Sequence, residues 1–159
     1  MRPRLVASLL VTAALAGCGG DDGDGEEIPG GADQEEARVI EEWSTALREG
    51  DVEGAAEYFA LPALAQNGTA PLALRTREDV VSFNEALPCG AELVSAETAG
   101  DYTIATFELT ERPGPGECGA GVGSTAKTAF GIRDGKIERW IRVVDEDDAP
   151  LPVPEGPVV

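Results

Sequence analysis

Phe130-Gly-Ile-Arg-Asp-Gly-Lys-Ile-Glu-Arg-Trp140 is the stretch on which the reading of this chain turns. Two runs mixing apolar and charged residues flank Asp134-Gly135, a dipeptide suited to the positive φ angles of a two-residue hairpin turn. The stretch is therefore predicted to be a β-hairpin, with strands over roughly 122–133 and 136–144. Upstream, the same texture recurs over 92–98 and 101–110, joined by Ala99-Gly100-Asp101. Successive side chains on a strand point to opposite faces. Ile137, Arg139, Ile141 and Val143 are thus expected on one face of the last strand, with Glu138, Trp140 and Arg142 on the other.

Before residue 90 the apolar period lengthens. Asp33 with Glu36 three residues on has capping-box spacing, and Val39, Ile40, Trp43, Ala46 and Leu47 then recur at helical intervals until Gly50. Asp51 is expected to cap a short second helix running through Tyr58 and Phe59 and ending before Pro62. Thr76 with Asp79 opens a third, which buries Val80, Phe83 and Leu87 until Pro88 stops it. Helices first and alternating strands afterwards predict an α+β fold, with N-terminal helices packed against a curved antiparallel sheet.

These elements, with Ala46-Leu-Arg-Glu-Gly-Asp51 between the first two helices and the hairpin quoted above, make residues 33–144 resemble the nuclear transport factor 2-like (NTF2-like) superfamily, near its SnoaL-like branch. The resemblance implies a cone-shaped sheet whose interior is a pocket and whose outer face is used for dimerisation. That superfamily holds isomerases, dehydratases and epoxide hydrolases beside non-catalytic binding domains, so the fold does not choose the function.

The flanks read differently. Leu15-Ala-Gly-Cys18 closes an apolar stretch from Leu5 to Ala16 that begins behind Arg2 and Arg4. A charged start, a short apolar run and small residues before a cut describe a secretory signal, since a membrane span needs roughly 20 apolar residues. The run resembles a bacterial lipobox. It implies a signal peptide over 1–17, a lipid (diacylglycerol and a further acyl chain such as palmitate) on Cys18, and a home outside the cytoplasm on a bacterial membrane. Two or three acyl chains, at about 0.8 kcal/mol per buried methylene, make a near-permanent anchor. Residues 18–32 are glycines and acids around one larger aliphatic side chain, Ile28, and are expected to be a tether with nothing to bury. Residues 145–159 are acidic, then alternate proline with aliphatics, which predicts an extended tail. With Cys18 lipidated, Cys89 and Cys118 remain as an even pair and are expected to form a disulfide in an oxidising compartment.

Charge and composition exclude several classes. The chain has 12 Lys plus Arg, 30 Asp plus Glu and no histidine. Without the signal peptide 10 bases face 30 acids, a side-chain sum of −20. Nucleic-acid phosphates are therefore not an expected partner, and contact with a membrane is expected through the lipid alone. Lack of histidine removes Ser-His-Asp and Cys-His relays and the H-E-x-x-H zinc site, and two thiols make no zinc cage. No phosphate-binding glycine loop is present, and the acidic runs lack the spacing of a calcium loop. No metal or cofactor is expected. Acid–base chemistry would have to come from carboxylates, Tyr, Lys or arginine-supported groups.

If the Ile137 face lines the cone, Arg139 points inward and demands a partner, either an anionic ligand or a helix carboxylate. Trp43, on the apolar stripe of the first helix, and Tyr58 are the other pocket candidates. Tyr58 and Tyr102 could donate to an oxyanion, as in ketosteroid isomerase relatives, but no carboxylate base is recognisable opposite them. Trp140 and Arg142 would then lie on the outer face, with the composition of a homodimer anchor. The chain reads as a lipid-anchored, extracytoplasmic NTF2-like domain, non-catalytic, binding a small ligand or a protein. The alternative is an isomerase, dehydratase or hydrolase working through carboxylate and Tyr groups.

Overall fold

The computed structural model describes residues 27–144; Cys18, the expected signal peptide and the tail from Asp145 lie outside the described residues. The elements are α1 (Gln34–Glu49), α2 (Val52–Ala56), β1 (Phe59–Gln66), β2 (Leu72–Leu74), α3 (Arg77–Ala86), β3 (Gly90–Ala99), β4 (Tyr102–Thr110), β5 (Thr125–Arg133) and β6 (Lys136–Val143). The strands form one sheet in the order β2-β1-β6-β5-β4-β3. From β3 to β6 it is an antiparallel meander. β1 runs parallel to β6, and β2 closes that side antiparallel to β1. The α+β architecture is as the sequence predicts, but the sheet is mixed.

Local signals set the helix ends. The Asp33 carboxylate caps α1 by accepting from the N–H groups of Glu35 and Glu36, at 2.9 and 3.1 Å. Glu36 does not complete a box; its carboxylate accepts instead from the Thr103 hydroxyl and ties the start of α1 to β4. At α3 the box is complete, with Thr76 Oγ1 accepting from Asp79 N and Asp79 accepting in return from the Thr76 N–H. The Asp79 carboxylate also accepts from Arg75 N, and the Arg75 and Thr76 amides hold its pKa below the usual carboxylate range. A lowered folded pKa contributes stability that is present above the unfolded value and lost as pH falls through the folded one. Asp79→Asn is therefore expected to flatten the acid limb of the stability profile below about pH 4, measured by urea unfolding across pH; an unchanged acid limb would contradict this.

At their other ends, α1 and α3 converge on one buried cation. The Arg112 guanidinium, only 7% exposed, donates to the carbonyls of Leu47 (3.3 Å), Asn84 (3.0 Å) and Glu85 (3.2 Å). These are last-turn carbonyls, of which those of Leu47 and Asn84 also accept from the Gly50 and Leu87 cap amides, and a positive charge is favoured at the negative ends of two helix dipoles. Burial pulls the Arg112 pKa down, yet arginine stays protonated at any working pH.

Two expectations about boundaries are corrected. α2 stops at Ala56, and Phe59–Gln66 is strand β1 rather than the end of a helix. Its backbone N–H and C=O groups find partners in β2 and β6, which outweighs the helix preference of its alanines. The second correction is at the tether. Ile28 and Ala32 are buried with Ala37 and Ala96, so the domain starts before residue 33. The Pro29 carbonyl accepts from Ala96 N at 2.8 Å, and Ala32 N donates to Ala96 O at 3.1 Å. This segment covers the free edge of β3, where unpaired backbone groups would invite another chain. Only glycine fits at position 30, where φ is +119° and a Cβ would collide with the Ala96 carbonyl.

The core is aromatic. All four Phe and both Trp residues of the chain join one cluster, with Trp43 at its centre. Its ring centroid lies 5.5 Å from Phe130 and 6.4 Å from Phe59, Phe107 and Trp140, all edge-on. Edge-to-face pairing at these distances adds about 0.5–1.5 kcal/mol per pair beyond area burial.

Candidate functional site

The site follows from a break in the alternation of β6. Its partner β5 pairs Gly131 with Arg139 but Ile132 with Ile137, so Glu138 is an extra residue in the ladder. A bulge of this kind switches the face on which the following side chains lie. Ile137 and Trp140 therefore both face inward, at 0% and 6% exposure. Arg142 follows Trp140 on the inner face, opposite Thr128, while Arg139 turns outward over Gly131. The strict-alternation reading is reversed. Trp140 packs its ring 5.2 Å from Phe83 inside the cone and is no outer-face anchor. The outer face instead carries Ile104, Ile141 and Val143.

Inside the cone lies a cavity of about 130 Å³. Helix α1 contributes Trp43 and Leu47, the sheet contributes Phe107, Thr128 and Trp140, and Arg142 stands exposed on its lining. Pro88 and Cys89, following α3, form another part of the wall. Cys89 is joined to Cys118 across the β4–β5 connection, the expected disulfide, with an S–S distance of 2.08 Å. That connection is further held by the Glu111 carboxylate, which accepts from the N–H groups of Cys118 (3.2 Å) and Gly119 (3.1 Å).

Polar groups on this wall are few. The Trp43 indole N–H donates to Asn84 Oδ1 at 3.3 Å, and Asn84, wholly buried, donates on to the Val52 carbonyl at 3.4 Å. The Trp140 indole N–H is buried and has no hydrogen-bond partner among the described residues. Arg142 makes no ion pair among the described residues. Among the described residues no Asp, Glu, Tyr or Lys side chain lines the cavity.

Of the residues singled out from sequence, Trp43 reaches the cavity and Arg139 and Tyr58 do not. Arg139 donates to the Tyr102 hydroxyl at 2.8 Å on the outer face, beside the Arg133–Glu138 ion pair at 3.3 Å. Tyr58 lies half-buried beside the core, its pKa raised by burial and then by the neighbouring Glu42 carboxylate. The two tyrosines thus share no pocket. Sequence reasoning missed Asn84, Arg112 and Thr128. Asn84 carries a faint signal, a polar residue directly after Phe83 in the apolar run of α3.

No protein-family model and no curated protein matches the chain. Solved structures do. The fold is similar to an NTF2-like protein of unknown function from Cytophaga hutchinsonii (TM-score 0.54, 11% identity, 70% of this chain and 91% of that chain). It is also similar to a candidate polyketide cyclase from Sinorhizobium meliloti (0.53, 19%, 67% and 94%). A third likeness is to a candidate ketosteroid isomerase from Kribbella flavida (0.52, 15%, 78% and 91%). Helices on a mostly antiparallel six-stranded sheet, with the cavity between them, are those of an NTF2-like α+β domain. At these identities the likeness is one of fold.

Proposed function

We propose that this chain is a non-catalytic binding module that holds a small apolar molecule in its cone, tethered outside the cytoplasm to a bacterial membrane by lipid on Cys18. The composition of the cavity wall carries the reading: mostly aromatic and aliphatic side chains with Asn67, Thr128 and one arginine, and among the described residues no carboxylate, tyrosine or lysine to take or give a proton. A cyclase or isomerase, as named for two of the structural neighbours, needs an acid or base within about 3 Å of the reacting atom. Among the described residues this wall offers none. Apolar walls with a few convergent polar groups are the general composition of small-molecule sites.

The tether sets where the module works. Cys18 precedes Ile28 by ten positions. At about 3.5 Å per extended residue, that spacer reaches roughly 35 Å, so the cone stays within about one domain diameter of the lipid. Cys18→Ser is expected to move the protein from the membrane pellet to the soluble fraction after cell breakage. Retention of the variant in the pellet would refute the lipid anchor.

Occupancy is tested with a benzene-sized probe, since a cavity of roughly 150 Å³ accommodates benzene. Toluene is expected to raise the thermal midpoint of the wild type in a saturable way. Ala91→Leu, which adds methyl groups to the wall, is expected to keep the fold and lose the response. A toluene response equal in both proteins would place the binding elsewhere.

A further inference from the structure

The chemistry of the ligand is narrowed by three features of the same cavity, and the inference rests on that cavity being a binding site. The first is size: about 130 Å³ is space for roughly one six-membered ring and not for a fused polycyclic skeleton. The second is the aromatic wall. Trp43, Phe107 and Trp140 all line the cavity and offer ring faces and edges to an aromatic ligand. The third is Arg142. It lies two residues beyond Trp140 on the same inner face, opposite Thr128, and is exposed and without an ion pair among the described residues.

We infer that the cavity takes a small aromatic carboxylate: its ring lies among Trp43, Phe107 and Trp140, and its carboxylate meets Arg142 at the open end. Arginine suits this role because its guanidinium matches a carboxylate with two parallel hydrogen bonds. The acidity of the chain does not oppose it. At physiological salt, charges beyond about 8 Å are largely screened, whereas Arg142 acts in contact.

The test is calorimetric titration of the oxidised full chain at 150 mM salt with 4-hydroxybenzoate and with p-cresol, which differs from it in lacking the carboxylate. The expected result is that 4-hydroxybenzoate binds about ten- to a hundred-fold more tightly, the range for hydrogen bonds to a charged group. Arg142→Gln, at an exposed position, is expected to bring the two ligands to similar affinity. If p-cresol binds as well as 4-hydroxybenzoate, or the preference survives in Arg142→Gln, the assignment of a carboxylate ligand is overturned while the cavity remains a binding site. If neither ligand binds and toluene gives no response, the binding reading itself fails, and this inference with it.

Discussion

Replacing Trp43 by alanine is expected to destabilise the domain by about 3–5 kcal/mol, the range for removing a large aromatic side chain from a core. Trp43 is 2% exposed, meets four other aromatic rings and forms one wall of the cavity. Truncation therefore joins a new void to an existing one, which gives the neighbours little support for closing in. It also strips the buried Asn84 carbonyl of its donor. Domains of this size hold about 5–15 kcal/mol in total, so the loss consumes a large part of the margin and lowers the thermal midpoint by roughly 10–20 °C. Trp43→Phe keeps much of the ring contact but not the hydrogen bond, and should fall between wild type and Trp43→Ala. Denaturant unfolding of the three proteins measures the series. A loss below about 1 kcal/mol for Trp43→Ala would mean that the aromatic cluster does not hold the helices to the sheet.

Removing the disulfide is the second large expected effect. Cys89 and Cys118 are separated by 29 positions. In the chain-entropy account, opening a loop of that length costs about 3–4 kcal/mol of stability by freeing the unfolded chain. The Cys89→Ser/Cys118→Ser double variant should thus unfold at lower denaturant and with a steeper slope, because its unfolded state is more expanded. The bridge also links the residue after α3 to the β4–β5 connection, at the wall of the cavity. Its loss should weaken ligand binding more than global stability alone explains, as the Glu111 contacts to Cys118 N and Gly119 N are left to hold that wall. Equal midpoints for the wild type with and without reductant would contradict both effects.

How much of this was legible in the sequence depends on how local each determinant is. Helices α1 and α3 are written in their own residues: Asp33 and Thr76 at the starts, an apolar stripe in the middle, Gly50 and Pro88 at the ends. The β3–β6 meander is similarly local, with Asp134 and Gly135 at φ 51° and 69° making the last turn. β1 is not. Phe59-Ala-Leu-Pro-Ala-Leu-Ala-Gln66 lacks alternation and β-branched residues, and its strand character comes from pairing with β6, more than 70 residues away in sequence. The site was misread for one reason: a single extra residue, Glu138, exchanges the roles of Arg139 and Arg142 and brings Trp140 inside. A trace of it is visible, since two large apolar residues of the strand, Ile137 and Trp140, are an odd number of positions apart. A strand with one buried face cannot bury both without a bulge. Arg112 was unreadable for a different reason, because the carbonyls it serves belong to two helices distant in sequence.

The central claim is that the cone takes a small apolar ligand beside Trp140, and amide and indole ¹⁵N–¹H spectra recorded during a toluene titration test it most directly. The account expects a saturable shift of the Trp140 indole proton and of Thr128, with a smaller change at the Trp43 indole, which is already bonded to Asn84. Spectra that do not change at these positions up to the solubility limit of toluene would contradict it.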